Sequence, residues 1–117
     1  MAVTTLVLSV HSAPAETRSL LAYHYAQAAL TLGHSISQVF FYQAGVLHGQ
    51  RTVADPHGVT QAWQQLATQH GFELVLCATV VEQDYQLSPD ALAAHYTLGG
   101  LTEFSSAAAR ADKIMQF

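Results

Sequence analysis

The chain contains one cysteine, Cys77, and it closes the segment FELVLC that starts at Phe72. A thiolate there has one chemistry open to it above others, attack on a sulfur–sulfur bond and carriage of the sulfur it removes. The bland alternative is a small hydrophobe buried in a core. The residues by themselves leave both open.

A lone cysteine is usually core, and the case for the first reading rests on position. In an open parallel sheet, ligands bind at the carboxyl ends of the strands, where strand order reverses. Cys77 ends one apolar run and His11 follows another. In a flavodoxin-like order the first and third strands are neighbours, so His11 would stand near Cys77, either as a thiolate stabiliser or as a loop residue that only hydrogen-bonds its surroundings. A helix beginning at Ala78 would aim its first N–H groups at the sulfur and favour the thiolate. Glu82 and Asp84 follow closely. They oppose that effect if they approach the sulfur, and otherwise form a solvated face.

Other chemistries find less support. The seven histidines invite a metal, but none lies three or four residues from another, and no metal site is expected. Most of them read as helix-surface or loop residues. No G-x-G-x-x-G follows the first apolar run and no phosphate-binding loop is present, so nucleotide binding is disfavoured.

The elements that must position these residues alternate. Thr4 to Val10 is a β-prone run typical of a strand covered on both faces. The following Ala13-Pro14-Ala15 mimics a signal-peptide cleavage site, but no Lys or Arg precedes Arg18, and a buried strand is the better reading. A helix from about Glu16 carries the stripe Leu21, Tyr25, Ala28 and Leu32 and ends at Gly33. Ile36 to Tyr42 is a second strand, and Gln43 to Gly58 a long surface loop. Val59 to Gln69 is a helix with Val59, Trp63, Leu66 and His70 on one face. Phe72 to Leu76 is a third strand. Ser88-Pro89-Asp90 resembles a helix start. Leu101 to Ala111 is a last helix, with Leu101, Phe104 and Ala108 inward, and KIMQF a short closing strand. Strand–helix alternation implies parallel pairing. The expected fold is a three-layer α/β sandwich with a mostly parallel sheet of four or five strands, flavodoxin/Rossmann-like, over a single domain spanning residues 1–117.

Composition bounds the partners. The chain has 117 residues, half of them hydrophobic and only 10% charged. So few charges suggest that part of the surface is buried against other subunits. A formal charge of -4 with four Lys and Arg argues against direct nucleic-acid binding. A lone cysteine excludes an internal disulfide and fits a reducing compartment. No apolar run reaches membrane-spanning length.

Three segments together resemble the DsrE/TusD family of sulfur-relay proteins. They are AYHYAQAALTLGHSISQVFFYQAGV (Ala22 to Val46), AWQQLATQHG (Ala62 to Gly71) with the strand that ends in Cys77, and the tail GGLTEFSSAAARADKIMQF. The resemblance covers nearly the whole chain in order. HSAPAE after the first strand and ATVVEQDY after Cys77 depart from the family's pattern. The resemblance implies a cytoplasmic sulfurtransferase subunit with persulfide sulfur on Cys77 and no metal or organic cofactor. It implies a heterohexamer with TusB- and TusC-like subunits, a TusA-like donor and a TusE-like acceptor. The implied end use is 2-thiolation of the wobble uridine in tRNA, or carrier work in sulfur oxidation. A structural subunit of the same assembly, with Cys77 buried, is the further alternative.

Overall fold

A computed structural model describes residues 3–117. Five strands form one parallel sheet: β1 (Thr5–Val10), β2 (Ser35–Phe41), β3 (Glu73–Cys77), β4 (Tyr96–Gly99) and β5 (Lys113–Gln116), in the order β4-β3-β2-β1-β5. Three helices flank it: α1 (Thr17–Thr31), α2 (Val59–His70) and α3 (Leu101–Arg110). This is the expected three-layer α/β sandwich.

The layers follow from the pleat. Residues paired in register share a face. Leu8, Val39 and Leu74 form one row and Val10, Phe41 and Leu76 the next. This face packs on α1 and α2, with Trp63 edge-on to Phe41 and to Tyr23. The alternate row, Ser9, Phe40 and Val75, faces the other way, where Phe40 lies 4.6 Å from the Phe104 ring of α3.

Strand order differs from the flavodoxin-like expectation. Each crossover from β1 through β4 steps in the same direction, so β2 separates β1 from β3. The order reverses only when the chain returns from β4 through α3 to place β5 beside β1. The reversal therefore lies between β1 and β5, away from Cys77.

Three local expectations also change. The α1 stripe Leu21, Tyr25, Ala28 and Leu32 does not face the sheet; Ser19, Ala22, Ala26 and Ala29 do. Small side chains let the helix approach the sheet closely, and packing overrides the larger apolar stripe. The start at Ser88 yields a single 3-10 turn, Pro89–Ala91, and the residues after it form β4. In α3 Leu101 is exposed and Phe104 half-buried, so this layer covers the sheet loosely.

The loop from Gln43 opens with a 3-10 helix, Gln43–Gly49, that buries His48 completely, against the surface position expected of it. The ring lies 4.7 Å from that of Phe41, and Nδ1 sits 2.8 Å from the Gly45 carbonyl. Nδ1–H is the donor there, which leaves Nε2 as an acceptor with no partner among the described residues. Desolvation pushes the His48 pKa down to about 4, against smaller opposing effects of the Gly45 carbonyl and Asp55. The folded chain thus binds this proton less readily than the unfolded one. Its stability is full above pH 6.5 and falls as pH drops from there toward 4. The shift corresponds to roughly 3 kcal/mol. Urea unfolding from pH 7 to pH 4 is expected to lose that much more in the wild type than in His48→Asn, whose amide also donates to Gly45. Parallel pH profiles for the two proteins would refute this.

Candidate functional site

The carboxyl edge of the sheet carries one further register row. Beyond the pair Val10–Phe41, the ladder continues as Tyr42 N–H donates to the Val10 carbonyl at 3.0 Å and His11 N–H to the Phe117 carbonyl at 2.7 Å. On β3 and β4 the same row holds Cys77 paired with Gly99. His11, Tyr42, Cys77 and Gly99 therefore line up across the edge on the α3 face.

Tyr42 occupies the place between His11 and Cys77. Two strand spacings put the backbones of β1 and β3 about 10 Å apart. The His11 ring meets Tyr42 edge-on at 5.4 Å, and its Nε2 lies 2.8 Å from Ser9 Oγ. The sequence order that set His11 beside Cys77 is thus replaced by one with an aromatic residue between them. Any influence of His11 on the sulfur runs across Tyr42.

Cys77 itself is 1% exposed. An open strand end was expected, and the chain instead buries the residue in the main core. Backbone after Cys77 turns directly into a helical segment, as anticipated, with a π-helical stretch Val80–Asp84. Val80 and Val81 pack inward, while Glu82 and Asp84 are exposed, which matches the solvated-face reading of those carboxylates. Single π-turns recur at functional sites because they break the regular helical ladder.

Sequence reading missed Gly99 and Glu103. A side chain on Gly99 would lie 2.6 Å from Val75 Cγ1 and 2.9 Å from Glu103 Oε2. The glycine beside Cys77 thus makes room for the first turn of α3 and its carboxylate. No local signal could have found this, because it depends on the pairing of β4 with β3. The Gly99-Gly100 break was visible, but not its purpose.

Two cavities open at this edge near His11. One, of about 340 Å³, is mostly apolar and lies between α3 and β5, against Phe40, Tyr42, Leu101, Phe104 and Ile114. The other, of about 430 Å³, is polar and is lined by His11, Ser12, Glu16, Arg18, Gln43 and Phe117. Cys77 lines neither. Among the described residues no group of three His, Cys, Asp or Glu side chains is placed to hold a metal ion. No helix among them is long and apolar enough to cross a membrane.

Comparison with known proteins places this geometry. The model of the DsrE/DsrF-like family matches residues 4–117. The chain is 36% identical to sulfurtransferase TusD of Serratia proteamaculans over 109 residues, covering 82% of this chain and 84% of that protein. It is 37% identical to the sulfurtransferase TusD homolog of Vibrio cholerae over 109 residues, with 82% and 83% covered. Among solved structures, the ychN protein of E. coli superposes with a TM-score of 0.78 at 18% identity, over 99% of this chain and 100% of the other. MTH1491 of Methanobacterium thermoautotrophicum, a protein of unknown function, gives 0.78 at 14% identity over 97% and 99%.

Proposed function

The chain belongs to the DsrE/DsrF-like family, and from that membership we propose that it is a sulfurtransferase subunit of a sulfur relay with Cys77 as the sulfur carrier. The observation that carries the proposal is the position of the chain's one cysteine. It ends β3, in a chain more than a third identical to a protein named sulfurtransferase TusD.

The chemistry is an exchange without net oxidation. The Cys77 thiolate attacks the outer sulfur of a donor persulfide, R–S–SH. A new S–S bond forms to Cys77, the donor's S–S bond breaks, and the donor leaves as its thiolate. An acceptor thiolate then attacks the outer sulfur on Cys77, and the Cys77 thiolate is the leaving group. One sulfur atom moves at each step. A TusA-like donor and a TusE-like acceptor fit these roles. TusB- and TusC-like chains are the co-subunits, and thiolation of the tRNA wobble uridine is the end use. His11 is proposed to bias the thiolate only indirectly, across Tyr42. No cofactor is required.

A residue 1% exposed does not offer its sulfur to another protein. Loading therefore needs local opening, and the irregular segment from Val80 is the element that opens. The same burial favours a second reading, a non-catalytic subunit in which Cys77 is core.

Intact-mass measurement after incubation with a small-molecule persulfide separates the two. A gain of one sulfur atom, mapped to the peptide holding Cys77, is expected. No gain, either for the chain alone or with TusB- and TusC-like subunits present, would hand the case to the non-catalytic reading.

A further inference from the structure

The connection from Cys77 to β4 is lightly anchored over most of its length. Val80 and Val81 are buried, but no residue from Glu82 to His95 is; Leu87, Leu92 and Ala93 rest half-buried on the core. The bonds from Tyr85 N–H to the Val80 carbonyl and from Leu87 N–H to the Val81 carbonyl stay within the segment. The hydrogen bonds that tie its second half to the rest of the chain fall between Asp90 and Ala94.

One residue supplies most of those ties. Arg51 donates its backbone N–H to the Ala91 carbonyl at 2.9 Å, its Nε–H to the Leu92 carbonyl at 3.2 Å and an Nη2–H to the Asp90 carbonyl. It thus takes three consecutive carbonyls, two of them with the planar fork that a guanidinium has and an ammonium lacks. The other ties are Ala93 N–H to the Gly49 carbonyl at 2.7 Å and the Gln64 amide to the Ala94 carbonyl at 2.6 Å.

The strap between Leu87 and Ala94 is also bracketed by strain. Gln86 before it has φ of +51° and His95 after it φ of +71°. Neither is a glycine, and left-handed backbone at such residues persists only where the surroundings impose it. Clamping the strap imposes it here, and release of the clamp lets both residues relax. From this arrangement we propose that Arg51 is the latch of the sulfur site. It is a positioning residue that sets how often the segment after Cys77 opens, and so how fast a sulfur 1% exposed is reached. The proposal rests on reading Cys77 as the carrier and adds the residue that controls access to it. Arg51 is itself exposed, so its side-chain bonds exchange with water and give way before the core packing of Val80 and Val81 does.

Alkylation of the full chain by iodoacetamide under native conditions tests this, because it needs only access to the thiol and no transfer of sulfur. Arg51→Ala is expected to speed modification of Cys77 by at least roughly tenfold, since the closed state loses two charge-assisted bonds. Arg51→Lys keeps the charge without the fork, and its rate should fall between the two. Hydrogen exchange in Arg51→Ala should quicken over residues 78–95 and stay unchanged in β1 and β2, which separates a local latch from a general loss of stability. Alkylation of Arg51→Ala at the wild-type rate, or exchange that rises equally in β1 and β2, would overturn the inference. Fast alkylation of a variant that takes up no persulfide sulfur would support the latch and count against the carrier reading, so the two fail separately.

Discussion

Cys77→Ser and Cys77→Ala are both expected to take up no sulfur from a persulfide donor, while the wild type gains one sulfur atom. Two variants are needed because the site is closed to water. Serine puts a hydroxyl where a thiol is 1% exposed, at a cost of about 1–3 kcal/mol unless a partner is found. Alanine adds no polar group and leaves a small void, costing roughly 1–2 kcal/mol. Loss of uptake in a serine variant that is also unstable would be ambiguous; loss in a folded alanine variant is not. The closed site adds a second expectation. If the sulfur is reached by local opening, mild urea well below the unfolding transition should speed loading of the wild type. Uptake by Cys77→Ala equal to the wild type would remove Cys77 as the carrier.

The framework was legible because its signals are local. Thr5–Val10 and Glu73–Cys77 are β-prone runs with clear boundaries, and α2 buries Val59, Trp63 and Leu66 on the face their spacing marks. What failed was decided at a distance. Strand–helix alternation is the same whether β1 neighbours β3 or β2, so the alignment of His11 and Cys77 was not readable from it. On α1 two stripes compete, and the smaller wins because Ser19, Ala22, Ala26 and Ala29 let the helix sit close to the sheet. The larger stripe then becomes surface. His48 looked like one loop histidine among several, and its burial depends on a 3-10 turn that no periodicity announces. At the candidate site, Cys77 could be named from its strand. Tyr42, Gly99 and Glu103 enter only once the register of three strands is known.

Gly45→Ala is expected to be among the most damaging single substitutions in the chain, for a reason of space rather than conformation. A β-carbon there would lie 2.0 Å from the Val10 carbonyl oxygen and 2.9 Å from its carbon. Both are backbone atoms, so no side chain can swing away. Nor is the carbonyl free to retreat, because it accepts the Tyr42 N–H at 3.0 Å and so holds the edge row together. The 3-10 turn must lift off β1 instead, and it carries buried His48 with it. Overpacking against yielding side chains costs about 1–3 kcal/mol. Against fixed backbone we expect at least about 3 kcal/mol, and a melting temperature lower by more than about 10 °C. Gly33→Ala is the control. Gly33 has φ of +90° but nothing within 4 Å of its would-be β-carbon, so its substitution costs backbone strain alone, about 1 kcal/mol. Thermal melts of the two variants should rank Gly45→Ala well below Gly33→Ala. The reverse order would mean that the turn at Gly45 does not press on β1, and that the row from His11 to Cys77 is held in some other way.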